Sequence, residues 1–151
     1  MQNNTNPIPD GYTSVTPFLV SNDTEALLTF LEDAFGAETV NIAKMPDGKI
    51  GHAVSRIGNA QIMLSDAMGT PEAPPRTTIA NTYLYVNDPD KIVETAKAAG
   101  AKVLSPVEDM FWGDRWGVIE DPFGNRWQVA AHQKDVKYED FNNLRSKSMS
   151  G

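Results

Sequence analysis

Apolar and polar positions along this chain fall into two runs of the same order. Between Val15 and Val40 an apolar, β-branched stretch breaks at Ser21-Asn22-Asp23-Thr24. Ala26, Leu27, Phe30, Leu31, Ala34 and Phe35 then recur at helical spacing, and Gly36-Ala37 leads to a second apolar stretch. Between Asn81 and Leu104 the order returns: apolar stretch, Asn87-Asp88 break, helical spacing through Ile92, Val93, Ala96 and Ala99, then Gly100-Ala101 and another apolar stretch. The apolar pattern sets Val15 to Asn22 against Asn81 to Asp88. Such self-similarity marks a repeated supersecondary unit.

Each run continues into strand signals. In the first, Tyr12 to Val20 reads as a strand, although Pro17 argues against a central position in a sheet. Glu38 to Lys44, Ile50 to Ile57 and Ala60 to Leu64 follow, separated by Met45-Pro46-Asp47-Gly48 and the hairpin pair Gly58-Asn59. In the second, Ile79 to Val86, a strand beginning at Lys102 to Leu104, Arg115 to Glu120 and Arg126 to Ala131 take the same places. The pattern predicts an α+β fold of tandem βαβββ modules: an arm over 1–11, a first module over 12–67, a proline-rich linker over 68–77, and a second module over 78–133. A tail over 134–151 carries helical periodicity through Val136, Phe141 and Leu144.

Composition narrows the partners. The chain has 151 residues, no cysteine, and a formal charge of −7. The length suits one compact domain or two half-domains. The absence of cysteine removes disulfides and thiolate chemistry and fits a cytoplasmic protein. An acidic balance argues against nucleic acid, whose binding rests on Lys and Arg at phosphates. No run approaches the about 20 apolar residues of a membrane helix. The first residues lack a signal-peptide pattern.

Asp121-Pro122-Phe123-Gly124-Asn125 reads as a turn, with Asp121 accepting bonds from the turn's own backbone. Followed by Arg126-Trp127 and set in a tandem βαβββ pattern, it resembles the vicinal oxygen chelate superfamily, which includes glyoxalases, bleomycin-resistance proteins and dioxygenases. Trp112-Gly113-Asp114-Arg115-Trp116-Gly117, Ala130-Ala131-His132 and the segment Asp135 to Asp140 are similar to its PhnB-like branch. The resemblance implies a glyoxalase-type curved sheet. It also implies metal positions on the first and last strands of each module, which fall at Val15, Met63, Asn81 and Gln128. Valine ligates nothing, a thioether suits soft ions only, and two neutral amides lack the basicity of His and carboxylate. No inherited metal and no other cofactor is therefore expected.

Aromatic residues carry the functional expectation. Phe111, Trp112 and Trp116 cluster ahead of the last hairpin; alternation in an extended chain sets Trp112 and Trp116 on one face. With Tyr83, Asn81, Gln128, His52 and Arg115 as polar members, they form the expected ligand-binding set. Indole faces favour planar or cationic guests. Glu120 and Asp121 are adjacent, so they point apart and form no carboxylate pair. No Gly-x-Ser-x-Gly elbow or phosphate loop occurs. The expected function is small-molecule binding in the cavity between modules, by a homodimer without a metal. The alternatives are a metal-dependent lyase, isomerase or dioxygenase of the same superfamily, an enzyme using His52 as general base, and an interaction domain whose own side chains fill the cavity.

Overall fold

The computed structural model describes residues 5–140. The chain divides between Ile79 and Ala80 into two compact units. The first holds β1 (Phe18–Ser21), α1 (Thr24–Phe35), β2 (Glu38–Lys44), β3 (Ile50–Ile57) and β4 (Ala60–Asp66), with sheet order β1-β4-β3-β2. The second holds β5 (Asn81–Tyr85), α2 (Pro89–Ala98), β6 (Lys102–Asp109), β7 (Asp114–Glu120) and β8 (Arg126–His132), in the order β5-β8-β7-β6. In each unit the first strand runs parallel to the last and the other pairs are antiparallel. The tandem βαβββ architecture is thus the one the apolar pattern predicts.

The helices begin where their caps dictate. Asp23 accepts from the Ala26 N–H over 3.0 Å and Asp88 from the Lys91 N–H over 3.2 Å, each satisfying a first-turn donor with no partner inside its helix. Leu27, Leu28, Phe30, Leu31 and Ala34 of α1 are buried with Leu19, Ala53, Ile57, Ile62 and Leu64 of its sheet. Val93 and Ala96 of α2 are buried, as are Ile119, Trp127 and Val129 of β7 and β8. Helix α2 packs on β6, β7 and β8.

Two strands are shorter than the sequence pattern predicts. The Tyr12–Val20 stretch becomes a strand only from Phe18, immediately past Pro17, because a proline has no N–H for the ladder. The Ile79–Val86 stretch narrows to Asn81–Tyr85. Conversely β6 runs on to Asp109 through Pro106, which an edge strand with register shifts tolerates. Residues 67–80 contain neither helix nor strand. In the tail, residues 133–137 form neither helix nor strand and Tyr138–Asp140 forms a 3-10 turn; the part of the expected C-terminal helix beyond residue 140 lies outside the described residues.

The Asp121 turn is a structural hub. One carboxylate oxygen accepts from the Phe123 and Asn125 N–H groups (2.9 and 3.0 Å), and the other from Asn125 Nδ2 and Trp127 Nε1 (3.0 and 2.9 Å). Asn125 Oδ1 in turn accepts from the Ala80 N–H at the entrance to β5, over 2.9 Å. The turn thereby fixes the parallel register of Tyr83 opposite Gln128.

Candidate ligand-binding site

Alternation along β5, β8 and β7 sorts the expected site residues onto two faces. Trp127, Val129 and Ile119 point to the buried side. So does Arg115, which binds Asp90 of α2 through Nε at 2.7 Å and Nη2 at 2.9 Å, and Asp109 of β6 at 3.1 Å. Asn81, Tyr83, Tyr85, Gln128, His132, Asp114 and Trp116 share the opposite, open face. The structure therefore gathers Asn81, Tyr83, Trp116 and Gln128 with Trp112, and separates Arg115 from them. His52 lies in the first unit, where its ring sits 5.9 Å from that of Phe18.

On the open face the polar groups form two chains that meet at the tryptophans. Gln128 Nε2 donates to Asn81 Oδ1 at 3.2 Å, and Trp116 Nε1 donates to Gln128 Oε1 at 3.0 Å. The Trp116 and Trp112 rings meet edge-to-face with centroids 5.3 Å apart. Trp112 Nε1 then donates to the Tyr83 hydroxyl at 3.2 Å, and Tyr83 donates to Asp114 Oδ2 at 2.6 Å. Asp114 Oδ1 and Asp135 Oδ1 each lie 2.7 Å from a ring nitrogen of His132.

Sequence reasoning missed Tyr85, Asp114, His132 as a site member, Asp135, Val136 and Tyr138. Together with Tyr83 and Trp112 they line a pocket of about 350 Å³, within the usual range of ligand sites. The signal was the alternation itself: Asp114 stands two residues before Trp116, and His132 faces it across the ladder. A backbone contact secures the pocket rim. Gly113, at φ 97°, accepts from the Gln133 and Lys134 N–H groups (2.9 and 3.1 Å), and a Cβ there would lie 2.1 Å from the Lys134 carbonyl oxygen. Only glycine allows this approach.

Both His132 nitrogens face carboxylates, which accept and do not donate, an arrangement that favours the doubly protonated ring. Bonding to Asp135 and then Asp114 raises the His132 pKa, against the effect of desolvation. Burial alone would raise that of Asp114, but donation from Tyr83 and His132 outweighs it and the net direction is down. Tyr83 is pushed up by burial and by Asp114. A general base needs a free lone pair near neutral pH; both His132 nitrogens already face carboxylates, and the Tyr83 hydroxyl already donates to Asp114.

The inherited metal positions do not suit a metal. Gln128 Oε1 and Asn81 Oδ1, the amide oxygens a cation would require, are both engaged as acceptors. Met63 presents a thioether. Val15 lies ahead of β1 and is 81% exposed. The repeat frame also differs by one residue from the one the apolar pattern predicts. The caps equate Asp23 with Asp88, and pairing to Met63 and Gln128 equates Phe18 with Tyr83, so Asn81 falls opposite Thr16. Thr16 supplies only a neutral hydroxyl. Among the described residues no three His, Asp or Glu side chains gather as a metal cluster.

The family profile described as the glyoxalase/bleomycin resistance protein/dioxygenase superfamily matches residues 12–129. The chain belongs to that superfamily. An uncharacterised protein of Mycobacterium bovis is 32% identical over 145 residues, covering 91% of this chain and 95% of that one. Among solved structures, TioX from Micromonospora sp. ML1 has a TM-score of 0.66 at 24% identity, covering 80% of this chain and 98% of its own. A PhnB protein of Bacillus cereus has a TM-score of 0.56 at 17% identity, covering 79% of this chain and 99% of its own. These likenesses establish a shared fold. The superfamily's chemistry is grafted onto that fold by the side chains of each site.

Proposed function

We propose that this superfamily member is a small-molecule-binding protein without the inherited metal site, and that its ligand is a planar, largely apolar molecule lying against the open face of the second sheet. One observation carries the reading: the amide oxygens at the two metal positions of β5 and β8 are tied into the Asn81–Gln128–Trp116 chain, while Trp112, Tyr83 and Tyr85 border a pocket of ligand size. A site with a few oriented polar groups among aromatic walls selects by shape and stacking. Holding His132 doubly bonded and Tyr83 protonated favours binding over proton transfer.

Calorimetric titration with 4-methylquinoline tests this. Saturable binding that Trp112→Ala abolishes is expected; a Trp112→Ala protein that binds as the parent does would contradict it. A homodimer belongs to the same reading, supported by the edge strand β2, which leaves Val40 and Ile42 exposed. Sedimentation velocity at rising concentration checks that part, and a monomer throughout would remove it.

A further inference from the structure

We infer that the pocket on the second sheet recognises a cationic ligand, an aromatic or quaternary ammonium, through the π faces of Tyr85, Tyr83 and Trp112 together with the carboxylate of Asp135. The inference rests on the proposed binding role and adds the ligand's charge. The described side-chain N–H donors around the cavity already serve protein acceptors, and so does the Tyr83 hydroxyl. The Tyr83 hydroxyl serves Asp114, the Trp112 indole serves Tyr83, and both His132 N–H groups serve carboxylates. An anion entering the pocket would meet no free N–H from these residues and would have to break a charged bond to obtain one.

A cation meets the opposite situation. Two carboxylates, Asp114 and Asp135, stand against one imidazolium, so the lining carries a net negative charge. The Asp135 side chain is fully exposed and commits one oxygen to His132, leaving the other directed to solvent. The Tyr83 and Tyr85 rings sit 5.1 Å apart at 52°, a tilted pair, and both residues line the cavity. Tyr85 is 62% exposed although it is a large aromatic side chain. Aromatic walls with a nearby carboxylate are the chemistry that recognises ammonium groups.

Two probes of one shape separate charge from stacking. At neutral pH, N-methylquinolinium is a permanent cation and 4-methylquinoline is largely uncharged. Calorimetry should give tighter binding for the cation. Tyr85→Leu should weaken the cation on the order of threefold to thirtyfold, with less effect on the neutral probe, while Tyr85→Phe, which keeps the ring, should retain it. Asp135→Lys should reverse the preference between the probes. Both positions are exposed, so circular dichroism should confirm unchanged folding. Equal affinity for the two probes, with Trp112 still required, would overturn the inference and leave the binding role standing. Tighter binding of quinoline-4-carboxylate would overturn it likewise. Binding of neither quinoline would overturn both.

Discussion

Asp114 and His132 face each other across the β7–β8 ladder, Oδ1 to Nδ1 at 2.7 Å, with the carboxylate buried and the imidazole half-exposed. The pair ties the last strand of the second unit to the wall of the pocket. Its two partners shift in opposite directions, and the pH dependence follows. His132 has a raised pKa, so its contribution is complete below its ordinary value of 6.5 and disappears as pH climbs through the raised one. Asp114 has a lowered pKa, so its contribution is complete above 3.8 and disappears as pH falls through the lowered one.

Thermal stability should therefore be greatest between those ordinary values and decline toward alkaline pH. Scanning calorimetry across the range should show His132→Gln flattening the alkaline decline. A variant with the same alkaline slope as the parent would mean that this pair does not govern it.

Asp121 holds four donors at once, two of them backbone N–H groups, at a buried position. Replacement by alanine leaves those donors without acceptors, at about 1–3 kcal/mol for each one that stays buried. Asp121→Ala should destabilise the protein by about 3 kcal/mol or more in urea unfolding. A change below about 1 kcal/mol would show that water or rearrangement replaces the carboxylate.

Gly113 and Gly124 offer a matched comparison. Both have positive φ, 97° and 89°, but a Cβ on Gly124 meets nothing within 4 Å, whereas one on Gly113 strikes the Lys134 carbonyl. Gly124→Ala should cost only conformational strain, about 1–2 kcal/mol. Gly113→Ala should cost more and should also weaken ligand binding, because it displaces the segment that carries Asp135 and Tyr138 to the pocket. Equal losses of stability would deny the close approach its role.

Much of this architecture was legible in the sequence, because helical spacing, capping aspartates and turn residues are local signals that agree with the tertiary fold. The Ser21–Thr24 and Asn87-Asp88 breaks announced both helix starts, and Asp-Pro-Phe-Gly-Asn announced the last turn. What local signals did not fix was the frame between the halves. Pro17 shortens the first strand, so aligning apolar stretches placed Val15 rather than Thr16 opposite Asn81.

The site was legible in part for a similar reason. Tyr83, Trp112, Trp116, Asn81 and Gln128 converge because alternation on a sheet is readable. Arg115 reads as a ligand contact on composition alone, but it stands one residue from Trp116 and so faces α2, where Asp90 holds it. Asp135 and Tyr138 enter the pocket through Gly113's contact with residues 133 and 134, a long-range relation that no spacing rule records.

The most direct test of the proposed metal-free binding site is metal retention. The protein is incubated with Zn, Ni, Mn and Fe(II) salts in turn, desalted, and analysed for bound element against protein. Retention far below one ion per chain is predicted for every metal, with Asn81→Ala and Gln128→Ala no different from the parent. A stoichiometric ion that either substitution releases would contradict the account at its root.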